Sequence, residues 1–424
     1  MFGIVPLQAG IFSVKQIIQT YPETFAISNK FLPSSMQGSG LGLRYAQSAY
    51  GILELNETLP SFMSQNYTLA PFTAKVSRAS SGEFDTWTAD TTLYSVDMQC
   101  KVVDTFIQAG CEKGCREFPT TYFNASAACS VALPDFVNNT IGKPFRIRAG
   151  VSDGKVRYRT FSTVYAGYYK QHPFPNNVNT TLENSPCKGT VIAAFIRNKS
   201  KDTDPANNIT AIACQPSYYG QNVEATVDAA TKKPLALNIP GPKQPLSELM
   251  FNSSLFEGTV ASAIRRSNNI DRSDSLPGTN LPVYRKASND PELSPAAVSV
   301  NVQHSHMVAM AMAMSEHQTA DFLDPLVLEQ AYASAYKLLF ARAMVDILAT
   351  DFSDHVDERD GQRSVRMETL LLEPVFTYLV ECLLGLVSIS AIALLYMSIR
   401  GLELKKLIDE PGVLRMPLDC LSLT

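Results

Sequence analysis

The stretch HSHMVAMAMAMSEH, residues 304–317, places three histidines and four methionines in fourteen positions. Imidazole nitrogen and thioether sulfur are soft ligands that suit copper. On a helix, Gln303, His306, Met307, Met310, Met314 and His317 fall within about 100° of arc, so one face carries three sulfurs and two imidazoles. Their spread along the axis counts against a shared ion. His306 and His317 are eleven residues apart, about 16 Å at helical rise. A neighbouring pair such as His306 and Met310 is the most that the spacing offers, and it needs further ligands from elsewhere. Methionine and alanine also favour helices and fill irregular cores, although the Met/Ala alternation would fit a strand as well. Core packing is the favoured reading, and no metal or cofactor is expected.

Other residues that could do chemistry are sparse. The chain has no H-E-x-x-H, no Walker loop, no G-x-S-x-G and no twin CxxC pairs. CEKGC at 111–115 resembles half a zinc site, but it lacks a second close pair and a neighbouring histidine. GSGLG at 38–42 reads as a loop. Carboxylates are scattered, so no acid–base pair can be named and no catalytic residue is assigned. Glu381 stands out because it interrupts an apolar run. A carboxylate at membrane depth marks a pathway or a partner, or snorkels to the interface.

These residues lie in a chain of 424 residues with 18% charged side chains, 45% hydrophobic ones and a formal net charge of −4. That composition describes a folded protein. With no basic block to follow a phosphate backbone, nucleic acid is excluded as a partner. The run VFTYLVECLLGLVSISAIALLYM, residues 375–397, carries a single charge over 23 positions, about 34 Å of helix. A hydrocarbon core is about 30 Å thick, and Tyr378 and Tyr396 sit near the two ends, where interfacial aromatics belong. The segment reads as a transmembrane helix, which makes the lipid bilayer a partner.

Orientation follows from cysteines and sequons. Cys100, Cys111, Cys115, Cys129, Cys187 and Cys214 form an even set inside 115 residues, as expected of three disulfides in an oxidising compartment, with the connectivity open. Asn56, Asn66, Asn124, Asn138, Asn179, Asn198, Asn208 and Asn252 all sit in N-x-Ser/Thr context on the same side of the span. Residues 1–370 are therefore expected outside the cell or in the lumen, at the plasma membrane, with the C-terminus cytosolic. The N-terminus, MFGIVPLQAGIFSVKQ, lacks the basic and apolar regions of a signal peptide, so the chain reads as a fragment of a longer multipass protein.

The elements that must position these groups are mainly strands. Segments 91–104, 156–169, 189–196 and 208–214 are rich in β-branched and aromatic residues, and 218–229 alternates apolar with polar. The expected fold is α+β: a disulfide-stapled, β-rich, sandwich-like glycosylated ectodomain over residues 1–275, then a Pro-rich linker at 276–298. A helical membrane-proximal region is expected at 299–374, followed by the span at 375–397 and a cytosolic tail at 398–424. Within the helical region Asp324 is a natural N-cap and Pro325 a first-turn residue. Leu328, Tyr332, Ala335, Leu339, Ala343 and Ile347 then recur at helical spacing. The acidic DFSDHVDERDG (351–361) reads as a solvated connector.

VPLQAGIFSV, SAYGILELNETLPSFMSQNYTLAPF (48–72), LYSVDMQC (93–100), AIACQPSYYGQNVEATVDAATKKPL (211–235) and LDPLVLEQAYASAYKLLFARAM resemble a family of large fungal multipass membrane proteins. That family is catalogued as a domain of unknown function, and the likeness runs over almost the whole chain. It implies an extracellular domain of this kind between transmembrane helices, with other transmembrane helices or cell-surface components as partners. It carries over no catalytic residues. The expected role is surface-structural or partner-binding. The alternatives are a transport or sensing component of a larger multipass assembly, in which Glu381 would matter, and an extracellular hydrolase.

Overall fold

The computed structural model describes residues 12–36, 40–75, 85–108, 120–124, 129–134, 145–150, 156–166, 189–198, 209–265, 298–301, 306–316, 319–352, 357–372 and 374–409. The strands, in chain order, are β1 (Phe12–Ile27), β2 (Thr68–Leu69), β3 (Phe72–Ala74), β4 (Asp85–Val102), β5 (Asp104–Gln108), β6 (Thr120–Asn124), β7 (Ser130–Pro134) and β8 (Phe145–Gly150). They continue with β9 (Val156–Ala166), β10 (Thr190–Asn198), β11 (Ile209–Asp228), β12 (Pro234–Asn238), β13 (Gln244–Pro245), β14 (Val298–Asn301) and β15 (Asp357–Leu372). The longer helices are α1 (Leu41–Glu54), α2 (Ser253–Arg265), α3 (His306–Met314), α4 (Pro325–Ile347) and α5 (Pro374–Asp409).

Among the described residues twelve strands form one sheet along the path β14-β8-β9-β10-β11-β4-β15-β1-β3, with β12 and β13 on β11 and β2 on β4. The pairs with a described register are antiparallel, and β5, β6 and β7 make a separate three-stranded sheet. Two compact units emerge. One is Thr20–Val365; the other joins Met1–Gln19 to Arg366–Thr424 and contains α5.

The axis of the larger unit is the β4–β11 pair, in register from Ile212↔Val102 to Asp228↔Thr86. The sequence suggested two strands here, divided near Pro216, but β11 runs through the proline. The Tyr218 carbonyl accepts a hydrogen bond from the Leu246 N–H at 3.0 Å, on the side away from β4. Pro216 shares that parity, so its missing N–H subtracts nothing from the β4 ladder. Cys214 shares it too and lies opposite Cys100 in a non-hydrogen-bonded pair, the narrower kind. Their Cα atoms are 4.0 Å apart and the two sulfurs are bonded.

A helical layer covers part of this pair, where a sandwich would place a second sheet. α4 packs on β4, β11, β2 and β10, and α3 lies against α4 and α1. The N-cap reading holds, since Asp324 Oδ1 accepts from the Leu326 N–H at 2.9 Å and Pro325 opens the helix. All six residues expected on the apolar face of α4 are buried, and so are Val327, Ala331, Tyr336, Leu338, Phe340, Ala341 and Met344. A helix packed on several sides needs apolar residues around most of its circumference. Within the stretch 299–374, β14 pairs with β8, α4 shares the core with residues of β1, β4, β10 and β11, and part of the acidic connector opens β15. The linker, apart from Val298, lies outside the described residues.

Two helices emerge within the part read as strands and loops. Tyr45, Ala46, Ala49 and Ile52 bury one face of α1. GSGLG ends in this helix, with Gly40 at its N-cap at φ 89°. Asn252 caps α2, its Oδ1 accepting from the Leu255 N–H at 3.0 Å.

At the other end of β4 the strands form a closed circuit. β4 pairs with β15, β15 adjoins β1, β1 pairs with β3, and β2 pairs back onto β4. Phe25, Phe62, Phe72 and Trp87 cluster there, with neighbouring ring centroids 5.1 to 6.5 Å apart. Gly361 makes the close approach possible: a Cβ at this position would lie 2.3 Å from the Thr88 carbonyl oxygen and 2.8 Å from the Phe25 ring.

Candidate functional site

The element with the clearest functional chemistry is α5. Its segment Tyr378–Gly401 has a mean hydropathy of 2.3 over its most apolar window, and none of that window is buried. Leu384, Leu386, Val387, Ile389, Ile392, Leu394 and Leu395 are each more than 60% exposed. Twenty-four residues at helical rise give about 36 Å, enough to cross a bilayer. Within the run, Ser388 Oγ donates to the Leu384 carbonyl at 2.8 Å, which satisfies a hydroxyl that lipid could not. Near one end Arg400 lies 5.4 Å from the centre of the Tyr396 ring. Glu381 lies in the first part of this segment, within snorkelling range of an interface. Cys382 is a free, exposed thiol.

The expected oxidised set is resolved in part. Cys100 and Cys214 are joined, and Cys129 is disulfide-bonded to a partner outside the described residues. Cys111, Cys115 and Cys187 also lie outside them. Among the sequons Asn56, Asn66 and Asn124 are exposed, Asn198 ends β10, and Asn252 is half-buried at its cap. The remaining three, Asn138, Asn179 and Asn208, lie outside the described residues.

The methionine–histidine run folds as α3, where Met307, Met310 and Met312 are at most 2% exposed and belong to the main core. Met312, which falls off the sulfur-rich face, is as buried as Met310, because the helix is enclosed on more than one side. His304 and His317 lie outside the described residues, and so does the side chain of His306. Among the described residues no group of three or more His, Cys, Asp or Glu side chains could hold a metal ion.

Two polar constellations had no local signal in the sequence. Glu257, 6% exposed, accepts from Tyr218 Oη at 3.2 Å, and that hydroxyl lies 2.8 Å from Tyr336 Oη. Phe251, Phe256 and Phe340 surround Tyr218 at centroid distances of 5.1 to 5.8 Å. The buried carboxylate is held by hydroxyls and ties α2, β11 and α4 together.

The second constellation is the turn after β11. Asp228 Oδ1 accepts from the N–H of Ala230 at 3.1 Å and of Thr231 at 2.7 Å, which holds its carboxyl below the usual range. The turn leaves Lys232 at φ 60° with its Nζ 3.1 Å from the centre of the Trp87 ring. Burial pushes Lys232 down to about 8, against the attraction of Asp228 and Asp85. The sign follows. An unfolded lysine keeps its proton to about 10.5, so between 8 and 10.5 the unfolded chain binds more protons and stability rises with pH. Below that window the penalty of burying the ammonium is present in full. Lys232→Met is expected to flatten the rise in denaturation midpoints taken across the window. An unchanged rise in the variant would show that Lys232 does not cause it.

An open groove of about 640 Å³ is lined by Pro22, Glu23, Thr24, Lys75, Glu358, Asp360 and Gly361. Lys75 pairs with Glu358, and Thr24 Oγ1 lies 3.5 Å from Asp360 Oδ1. Glu358 and Asp360 face solvent. Compared with known proteins, the chain matches no protein-family model, no curated protein and no solved structure.

Proposed function

We propose that the chain is an integral membrane protein with a glycosylated extracellular domain, and that its role is surface-structural or partner-binding. In this reading α5 spans the plasma membrane, residues 1–370 lie outside and the C-terminus is cytosolic. The chain is then one ectodomain-and-span piece of a multipass protein of the fungal family it resembles. Other transmembrane helices or cell-surface components are its partners.

The observation that carries the reading is the exposure of the whole apolar run of α5. Water-exposed apolar area costs about 25 cal/mol per Å², and a patch this long marks a surface that something apolar covers. The Cys100–Cys214 bridge supports an oxidising compartment on the ectodomain side.

Expression in a eukaryotic secretory host tests the proposal. The full chain is expected to stay with membranes after alkaline extraction and to gain mobility when treated with an N-glycosidase. Release into the alkaline supernatant would sink the span. Full membrane retention with no glycosidase shift would sink the outside placement of residues 1–370.

A further inference from the structure

Beside the aromatic circuit lies a second cavity, of about 170 Å³, lined by Ile27, Asn29, Asp90, Thr91, Thr92, Asn222, Val223, Pro240 and Arg359. Its polar wall comes from the strand period. Asp90, Thr92 and Tyr94 alternate along β4 and share one face, and Asn222 of β11 lies directly opposite Thr92. The same face is buried farther along, at Val96 and Tyr218, and becomes exposed at Asp90 and Asn222.

The wall is held in place by its own hydrogen bonds. Tyr94 Oη donates to Asn29 Oδ1 at 3.3 Å, and Asn29 Nδ2 donates to Asp357 Oδ2 at 3.4 Å. Burial pushes the Tyr94 hydroxyl up to about 12, so it remains a proton donor. The opposite wall is equally fixed. Gln221 Nε2 donates to the Gly241 carbonyl at 2.6 Å, which draws Pro240 and Gly241 down onto β11. The approach is close: a Cβ on Gly241 would lie 3.1 Å from the Asn222 carbonyl oxygen.

We propose that this cavity binds one neutral pyranose residue of a glycan. A volume of about 170 Å³ is on the scale of a single sugar ring. Two amides, a hydroxyl, a carboxylate and a guanidinium converge with both donors and acceptors, as a ring of hydroxyls requires. Pro240 supplies apolar surface for a C–H face of the ring. Mixed charge sets the class. An anionic ligand would meet Asp90, a cationic one would meet Arg359, and a neutral polyol can bond to both. The inference takes its setting from the partner-binding role above, but its test does not depend on membrane orientation.

The test uses the full chain, N-glycosidase-treated and held in a detergent without sugar headgroups. Ligand-observed NMR is run with mannose, glucose and N-acetylglucosamine, then with gluco-oligosaccharides and mannose-terminated N-glycans. Saturable binding of a neutral sugar is expected. Preference between the two oligosaccharide sets tells a surface polysaccharide from a protein-borne glycan as the source. Asp90→Leu and Asn222→Leu, both at exposed positions, are each expected to weaken binding about tenfold, the loss of one good polar contact. Unchanged Trp87 fluorescence in the variants shows the fold intact. No binding of any neutral sugar by the parent chain would overturn the proposal. So would binding untouched by both variants, or preference for a uronic acid over its neutral counterpart.

Discussion

Removing the Cys100–Cys214 bridge in a C100A/C214A variant is expected to lower stability by about 5 kcal/mol, the largest single effect foreseen here. The bridge joins positions separated by 114 in sequence, and closing a loop of that length in the unfolded chain is worth roughly 5 kcal/mol. The folded state loses little, because β4 and β11 remain paired along their ladder without the sulfurs. The effect therefore acts through the unfolded ensemble. Cys129, which lies in that loop, is disulfide-bonded as well, and a further crosslink makes the figure an upper one. Trp87, the only tryptophan, reports the transition in chemical denaturation of the solubilised chain. A loss under about 1 kcal/mol would mean that the loop is already closed by other contacts in the unfolded state.

The second large effect is expected at Arg363. Its Nε donates to Asp85 Oδ2 at 3.0 Å and its Nη2 to the same oxygen, with the two side chains only 11% and 5% exposed. These hydrogen bonds raise the already high pKa of the guanidinium. Asp85 Oδ1 is buried without a hydrogen-bond partner, which makes the aspartate dependent on the arginine. Arg363→Met is expected to cost about 3–5 kcal/mol by leaving a buried carboxylate uncompensated. Adding Asp85→Asn to that variant is expected to recover most of the loss, because the charge itself goes. If the double variant were no more stable than Arg363→Met, packing and not charge would be the cause. The pair fastens the β15 side of the strand circuit to the first residue of β4, next to the close contact at Gly361.

Much of the molecule was legible one element at a time. The Asp324–Pro325 start of α4 is a local signal, because the cap and the first turn are adjacent in the chain. The apolar run of α5 is equally local, since its exposure to lipid or burial in protein is a matter of length and composition. The strands at 91–104, 156–169 and 189–196 also read directly from β-branched and aromatic content. Less legible were α1, whose Tyr45, Ala46, Ala49 and Ile52 have helical spacing within a small, mixed composition, and β15, whose acidic start looks like a connector. The continuity of β11 through Pro216 was illegible for a different reason. Whether a proline ends a strand depends on which side its absent N–H faces, and that is set by a partner more than a hundred residues away.

Short-range physics in the sequence specifies an apolar segment long enough to cross a bilayer, paired-cysteine chemistry, the cap of α4 and most strand positions. Only the tertiary structure decided which groups meet. It brought Arg363 to Asp85, Glu257 to Tyr218, Lys232 onto Trp87, and Asn29, Asp90 and Asn222 around one cavity. It also placed α3 and α4 in the same core as the strands that precede them. Each of these depends on strand register and on closing long loops, whose entropy is offset only when many distant contacts form together. No local pattern carries that information.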